Sequence, residues 1–415
     1  MTPRSPDMPN RRRLRHGLVF APFLCLVLAA CTLHAGASHA ASCLAGALSG
    51  WTGKSSFMVG AMMEDSVADA APFSLRYVYL AGNHPDGGEP CQSCAQSCKA
   101  KGSACTGGNC NWWGCWQWDQ LPPGAYVRDL ISKAKQDGQI PVLTYYTLLQ
   151  ASGVGEGRPE ITKLADAGFM RGYYNDFRFM LRQIGTDKAI VHVEPDLWGY
   201  GRQVKSDPQA IAAAVGSANP DCAGLPATMA GLGQCFVRMT RIHAPNAKIA
   251  FHASAWNAAL NRNPGFDIDA DARATARFMN GLGNADLVFV EADDRDSGWY
   301  QARGQNRWWD ETDRTLPDFE QMFRWVKVLT ETMGKPAMWW QVPVGNSRLG
   351  NTNTRWKDNR VDYFFANVPD LVLANSMGAM FGAGANGQTT PSTDGGNLAS
   401  KMRAYQSGGA TSLCR

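Results

Sequence analysis

Eight short apolar runs, almost all separated by longer amphipathic stretches, constrain the fold of this chain more than any other feature. The runs cover residues 55–62, 75–82, 140–149, 188–195, 248–256, 286–293, 336–343 and 377–384. Continuous apolar strands that alternate with helices are typical of a parallel sheet covered on both faces. We therefore predict an α/β protein built as a single (β/α)8 (TIM) barrel. A doubly wound open sheet is the alternative, but the turn "VGAMMED" after the first run lacks the glycine-rich phosphate-binding pattern of that fold.

The first forty residues have the pattern of an export signal. A basic segment, "RRRLRHG", precedes the apolar segment "LVFAPFLCLVLAA", which is too short to span a membrane comfortably. Two processing sites fit: Cys31 as the lipidated N-terminus of a lipoprotein, or cleavage after "SHA", before Ala41. We expect residues 1–40 to be a signal peptide, or a lipoprotein leader ending before Cys31, and residues 41–415 to form the barrel. A bacterial protein of this kind would be secreted, periplasmic or anchored to the outer membrane.

The cysteine content fits an oxidising compartment. Of the twelve cysteines, two lie in the leader, and the remaining ten are an even number. Six lie within residues 91–115, after the second strand, and we predict a disulfide-rich loop there. The C-x2-C spacing at its start also fits a pair of zinc ligands, which stays open as an alternative. For the other four cysteines we predict the pairs Cys222–Cys235 and Cys43–Cys414.

The charge distribution argues against a nucleic-acid partner. The formal net charge is +4, but the first forty residues hold five Arg and one Asp, so the rest of the chain has no net charge. A nucleic-acid-binding protein would carry a basic surface. The chain after residue 40 has no excess of basic residues from which to form such a surface.

Acidic and aromatic side chains follow one strand after another. The fourth run ends in Glu194, which Asp196 and Trp198 follow, and the sixth run ends in Glu291 and Asp293. Active sites of (β/α)8 barrels lie where the strands end and the βα loops begin. Because alternate residues of a strand share one face, we expect Glu194 to point into the barrel mouth and Glu291 to approach it from two strands away.

Two carboxylates over an aromatic cleft suit the cleavage of a glycosidic bond. One protonates the leaving oxygen, and the other attacks the anomeric carbon or activates water. The chain has fourteen Trp, whose flat faces suit sugar rings. We predict Glu194 as the general acid/base and Glu291, or Asp293, as the nucleophile or base. The predicted substrate-binding residues all follow strands, and they are Tyr145, Asp196, Trp198, His252, Trp256, Asn257, Trp299, Trp340 and Gln341.

With these residues the chain resembles the (β/α)8 glycoside hydrolases of the cellulase, mannanase and β-glucanase type, over roughly residues 55–405. The resemblance implies an acid/base Glu at the end of strand 4, where Glu194 stands, although Val193 replaces the usual Asn. It also implies a nucleophilic Glu at the end of strand 7, where this chain has Gln341. The candidate nucleophiles therefore lie on strand 6 instead. We expect a carbohydrate substrate, no cofactor and a monomeric protein.

Two other functions compete with hydrolysis by paired carboxylates. His192 and His252, with Glu194 and Asp293, could bind a divalent metal, as in a metal-dependent hydrolase or isomerase. The His-x-His pair that many such barrels carry on strand 1 is absent. A surface protein that binds glycans without cleaving them would use the same Trp residues but would not need both carboxylates.

Overall fold

The computed structural model describes residues 43–81 and 124–414, apart from the side chain of Asn257. The predicted leader with its candidate lipidation site at Cys31 lies outside the described residues. So does the predicted disulfide-rich loop of 91–115.

The described residues form a closed barrel of eight parallel strands in the order of the sequence, so the predicted (β/α)8 fold is confirmed. Each neighbouring pair is parallel, and the last strand pairs with the first. The strands are β1 (Met58–Ala61), β2 (Leu75–Ala81), β3 (Ile140–Tyr146), β4 (Ile190–Val193), β5 (Lys248–His252), β6 (Leu287–Glu291), β7 (Ala337–Val342) and β8 (Ser376–Phe381).

Helices separate the strands. Those in the first half are α1 (Ser49–Thr52), α2 (Asp65–Ala68), α3 (Ala125–Gln136), α4 (Leu148–Ser152), α5 (Arg158–Lys163), α6 (Ala167–Ile184) and α7 (Leu197–Val204). Those in the second half are α8 (Met229–His243), α9 (Trp256–Ala259), α10 (Ile268–Gly281), α11 (Ser297–Gln301), α12 (Phe319–Met333), α13 (Arg360–Ala366), α14 (Val368–Leu373) and α15 (Asn397–Ser407). Short 3-10 turns cover Leu44–Gly46, Pro208–Ala210 and Pro220–Cys222.

The segment after β3 shows how local chemistry divides a long helical pattern. The periodicity predicts one helix over 160–185, but the structure has α5 and α6 with a break between them. Asp166 causes the second start, because its carboxylate accepts hydrogen bonds from the backbone N–H groups of Gly168 and Phe169. The end of α6 agrees with the prediction, since Gly185 follows Ile184 with a positive φ of 56°.

Side chains alternate across β3 and decide which residues can reach the site. Thr144 points into the barrel, where its hydroxyl lies 3.2 Å from Nδ1 of His192 on β4. Tyr145 points outward and packs edge-on against Tyr173 and Phe177 of α6. The pleat therefore assigns Tyr145 to the layer between sheet and helix.

Both disulfides predicted outside the loop of 91–115 are present. Cys222–Cys235 joins the last 3-10 turn to α8, and Cys43–Cys414 joins the two ends of the described chain. The C-terminal segment also pairs with the residues before β1, through the backbone bonds Phe57 N–H to Thr411 O and Leu413 N–H to Ser55 O. In the described part of the chain, no helix has the length and apolar character needed to cross a membrane.

Candidate active site

A cavity of about 700 Å³ opens at the end of the barrel where the strands finish. Six of the predicted site residues line it, and they are Asp196, Trp256, Glu291, Asp293, Trp340 and Gln341. Residues beyond those predicted also line it, and among them are Tyr79, Tyr146, Gln150, Glu156, Tyr200 and Arg307. A concave site with a few convergent polar groups at this face of a barrel is where binding and catalysis occur.

Glu194 does not line this cavity. The expectation that its side chain points into the barrel mouth is therefore wrong. Its backbone is left-handed, with φ of 47°, which interrupts the alternation set by β4. The carboxylate turns away from the mouth, and its Oε1 accepts hydrogen bonds from the Tyr173 hydroxyl at 2.6 Å and from the N–H groups of Thr147 and Leu148 at 3.0 Å. Burial raises the pKa of Glu194 to about 7, although these donors favour its charged form.

Asp196 supplies the β4 carboxylate to the mouth instead. The Tyr146 hydroxyl donates a hydrogen bond of 2.8 Å to its Oδ2. Burial, and then the charge of Glu291, raise the pKa of Asp196 to about 7. A carboxyl with such a pKa can hold and release a proton near neutral pH.

Glu291 ends β6 and is almost fully buried beside Asp196, whose pKa its charge raises. Its Oε1 lies 3.7 Å from Nε2 of His252. Neither of these two atoms has a hydrogen-bond partner among the described residues. This carboxylate oxygen is therefore not engaged by a structural hydrogen bond.

Asp293 lies in a different electrostatic environment. Its Oδ1 accepts from Arg307 at 3.2 Å and from the N–H of Asp294 at 2.9 Å, and its Oδ2 lies 3.4 Å from Nη2 of Arg360. Burial raises the pKa of Asp293, while Arg360 and Arg307 oppose that rise. Both carboxylate oxygens have partners, which suits a positioning role better than attack on substrate.

Gln341 has the second left-handed backbone at a strand end, with φ of 54°, and the pairing of β7 with β8 is irregular at this point. The Tyr79 hydroxyl donates a hydrogen bond to its side-chain oxygen. This contact holds the amide against the cavity wall.

Several of the predicted substrate-binding residues do not line the cavity. Trp198 is core, because its ring packs on Phe251 and its indole N–H donates to the backbone of Val193 at 2.9 Å. Tyr145 is buried behind the sheet and donates to Asp176. Packing from α6 and α8 covers these two side chains, so neither lines the cavity, and their predicted binding roles stay predictions.

Two further predicted substrate-binding residues, Trp299 and His252, are also absent from the cavity lining. Trp299 is half-buried outside the cavity lining, with the guanidinium of Arg303 stacked 3.8 Å from its ring centre. His252 is fully buried and lines a second cavity of about 480 Å³ together with Trp198 and Trp256. The side chain of Asn257 lies outside the described residues.

Tyr146 and Tyr200 are lining residues that are absent from the predicted site. Tyr200 and Trp256 form one wall, with ring centres 4.9 Å apart, and the Tyr200 hydroxyl donates to Glu156. The alternation of β3 would have identified Tyr146, because it shares the inward face with Thr144. No sequence signal marks Tyr200, which reaches the cavity through the packing of α7.

The two buried histidines contact each other. His192 Nε2 lies 3.1 Å from His252 Nδ1, and His192 Nδ1 lies 3.2 Å from the Thr144 hydroxyl. These contacts engage both ring nitrogens of His192 and Nδ1 of His252, and they leave Nε2 of His252 without a hydrogen-bond partner among the described residues. Within residues 43–81 and 124–414, no group of three or more His, Cys, Asp or Glu side chains is arranged to hold a metal ion.

No family model matches the chain, and no curated protein sequence matches it. The solved structures with a similar fold include a Bacteroidetes-affiliated GH5 cellulase, with 12% identity and a TM-score of 0.48 over 86% of this chain and 92% of that one. They include a GH5 xyloglucan-specific β-1,4-glucanase from a ruminal metagenomic library, with 13% identity and a TM-score of 0.47 over 85% and 89%. A Cellulomonas fimi endo-β-1,4-mannanase double mutant has 14% identity and a TM-score of 0.43 over 69% of this chain, which spans 58% of the mannanase chain.

These proteins are named as enzymes that act on polysaccharides, and this chain is similar to them as a (β/α)8 barrel. The strand pairing of the chain itself establishes that architecture.

Proposed function

We propose that this protein is an exported glycoside hydrolase that cleaves glycosidic bonds in a polysaccharide or oligosaccharide. The observation that carries the proposal is a pair of carboxyl groups that share one aromatic-walled cavity: the half-buried Asp196 after β4 and the buried Glu291 at the end of β6. Glycoside hydrolysis requires two such groups, one to protonate the leaving oxygen and one to act as base or nucleophile.

The environments of the two carboxyl groups suggest their roles. Asp196, whose pKa burial and Glu291 raise to about 7, is the general acid in this proposal. Glu291 has a carboxylate oxygen free of structural hydrogen bonds, and it acts as the base or the nucleophile. Asp293 holds Arg307 and Arg360 in place beside the site.

The cavity wall fits a sugar ligand. Trp256 and Tyr200 offer ring faces on which the C–H groups of a sugar can pack, and Trp340 closes the inner end. Gln341 and Arg307 provide donors for hydroxyl groups. The same wall would serve a protein that only binds glycans, so the carboxyl pair is the feature that favours hydrolysis.

Export is also part of the proposal. The basic and apolar segments of the leader support it, and so do the disulfides Cys222–Cys235 and Cys43–Cys414, since disulfides persist in oxidising compartments. We propose a monomer that is secreted, periplasmic or anchored by a lipid at Cys31.

A reducing-end assay of the purified protein on α- and β-glucans, mannan, xylan and chitin, with and without EDTA, tests the proposed activity. We expect hydrolysis of at least one glycan that EDTA does not affect. Asp196→Asn and Glu291→Gln should each lower turnover by a factor of about 10² to 10⁴, because each removes a proton-transfer group or a nucleophile. Binding of the glycan should persist in both variants.

Glu194→Gln is the matched control, since Glu194 follows the same strand but lies outside the cavity. Loss of turnover in Glu194→Gln with normal turnover in Asp196→Asn would reverse the assignment of the acid. Loss of activity in EDTA would favour a metal-dependent enzyme. Binding without hydrolysis of any glycan would favour the surface glycan-binding protein.

A further inference from the structure

A chain of buried polar side chains runs across the barrel interior beneath Glu291. The indole Nε1 of Trp340 lies 3.1 Å from the Thr144 hydroxyl, which lies 3.2 Å from Nδ1 of His192. His192 Nε2 lies 3.1 Å from Nδ1 of His252, and His252 Nε2 lies 3.7 Å from Oε1 of Glu291. We call these five residues the interior relay. Its two histidines do not themselves transfer protons in the proposed hydrolysis.

The direction of the hydrogen bonds in the interior relay is inferred from the indole N–H of Trp340. An indole N–H can only donate, so the Thr144 oxygen accepts from Trp340. Among the described residues, the only other contact of this hydroxyl is with His192 Nδ1, so a hydrogen bond that uses the hydroxyl proton goes to that nitrogen. A neutral His192 that accepts at Nδ1 must carry its own proton on Nε2.

His192 stays neutral in this site. Its ring is fully buried, and burial, followed by the nearby His252, holds its pKa well below the usual value. Its Nε2–H then donates to Nδ1 of His252. A neutral His252 must in turn carry its proton on Nε2, the nitrogen that faces Glu291.

We propose that the interior relay fixes the His252 tautomer so that an N–H is directed at the Glu291 carboxylate. Thr144, His192 and His252 are then positioning residues for the base or nucleophile, an inference that rests on the proposed function. This N–H faces the carboxylate at 3.7 Å and orients it electrostatically, while Asp196 across the cavity supplies the proton for the leaving oxygen.

The opposite direction of hydrogen bonding along the interior relay is chemically unfavourable. With the proton of His252 on Nδ1, its Nε2 would place a lone pair against Glu291 Oε1, 3.7 Å away, in a buried site. Neither atom has another hydrogen-bond partner among the described residues. Two facing acceptors with no proton between them would then remain unsatisfied, an arrangement that buried polar groups avoid.

The tautomers can be measured directly, without a substrate. We would label the purified protein with ¹⁵N-histidine, record long-range ¹H–¹⁵N spectra at pH 7, and assign the two rings with His192→Gln and His252→Gln. The expected result is a proton on Nε2 and a bare Nδ1 in both rings. A proton on Nδ1 of His252 would overturn the relay, whether or not a glycan substrate has been found.

Variants of Thr144 test the effect on turnover. Thr144→Val keeps the side-chain shape but removes the hydroxyl. We therefore expect mixed tautomers at His192. Turnover should fall by about tenfold or more, the size of effect that follows the loss of a residue that orients a catalytic group. Thr144→Ser should restore the single tautomer and most of the turnover. Thr240→Val, which removes a buried hydroxyl bonded to the Phe236 carbonyl in α8, is the matched control for stability.

Two results on Thr144→Val separate the proposals. Single Nε2–H tautomers in the parent protein, with full glycan turnover in Thr144→Val, would show that the relay does not act on Glu291. Single Nε2–H tautomers that become mixed in Thr144→Val would support the relay even if Glu291→Gln fails to affect hydrolysis. In that case the proposed function would fail and the tautomer assignment would stand.

Discussion

Tyr146 and Asp196 show how a single hydrogen bond sets the chemistry of a residue. The Tyr146 hydroxyl donates to Asp196 Oδ2 and so favours the charged carboxylate, in opposition to burial and to the charge of Glu291. The balance leaves the pKa of Asp196 at about 7. A general acid works only while protonated, so turnover should fall as the pH rises through this pKa.

Tyr146→Phe should therefore move the alkaline limb of the kcat/KM profile to higher pH. Removing a donor to the charged form raises the pKa of Asp196, by about one unit for a net hydrogen-bond contribution of about 1.5 kcal/mol. A pH series on the hydrolysed glycan measures the shift.

Tyr145→Phe is the control for this prediction, because the neighbouring Tyr145 donates to Asp176 behind the sheet. Its profile should match that of the parent protein. An alkaline limb that stays in place, or moves to lower pH, in Tyr146→Phe would contradict the assignment of Asp196 as the acid.

Two strand ends contain left-handed residues other than glycine. Glu194 after β4 and Gln341 in β7 have φ of 47° and 54°, a conformation that costs about 1–3 kcal/mol for each residue. At Glu194 three donors to one carboxylate oxygen stabilise the turn. The result is that Glu194 supports the loop after β3 and Asp196 reaches the cavity.

At the scale of elements, the ends of β6, β7 and β8 meet at Gly384. A side chain there would overlap the Gln341 amide and the backbone oxygen of Asp294. Only a glycine allows the loop after β8 to lie this close to both neighbours. This contact forms part of the cavity wall.

Gly384→Ala should therefore displace Gln341 or the loop after β6. Forced overpacking of this kind costs about 1–3 kcal/mol of stability, and we expect turnover to fall by about tenfold or more because the displaced groups line the site. Thermal unfolding and the glycan assay measure the two effects.

Gly350→Ala provides the matched comparison, since a Cβ at Gly350 meets nothing within 4 Å. It should leave both measurements unchanged. Full activity in Gly384→Ala would show that the wall at the end of β8 can yield without disturbing the site.

At the scale of the whole molecule, the closed barrel brings the two ends of the described chain together. Cys43 and Cys414 are separated by 371 residues in sequence, whereas Cys222 and Cys235 are separated by 13. In the loop-entropy description, closing the longer loop restricts the unfolded chain more. The two disulfides should therefore differ in their contribution to stability.

We expect the Cys43→Ser/Cys414→Ser double variant to lose more stability than Cys222→Ser/Cys235→Ser. Loop entropy alone gives about 6 kcal/mol for the first pair and about 3 kcal/mol for the second. Urea midpoints of the oxidised protein and the two double variants test the order. Equal midpoints in the two variants would show that structure retained in the unfolded chain outweighs loop length.

The barrel architecture was accessible from the sequence because its signals are local. Apolar runs of strand length and helical periodicity each depend on residues a few positions apart, and all eight predicted strands are present. The location of acids and aromatic residues after the strands was also accessible, since strand order in a parallel barrel brings those ends together. Both disulfide predictions within the described residues are confirmed.

Only the tertiary structure decided which of these side chains face the cavity. The left-handed backbone at Glu194 turns its carboxylate away from the cavity, and Asp196 lines the cavity in its place. Helix packing covers Trp198 and Tyr145. The same packing brings Tyr200 to the cavity wall. These outcomes depend on contacts between β4, α6, α7 and α8, which lie apart in the sequence. The sequence determines where the strands end, because that is a matter of local pattern. The direction of each side chain beyond that point is determined by the packing of the neighbouring elements.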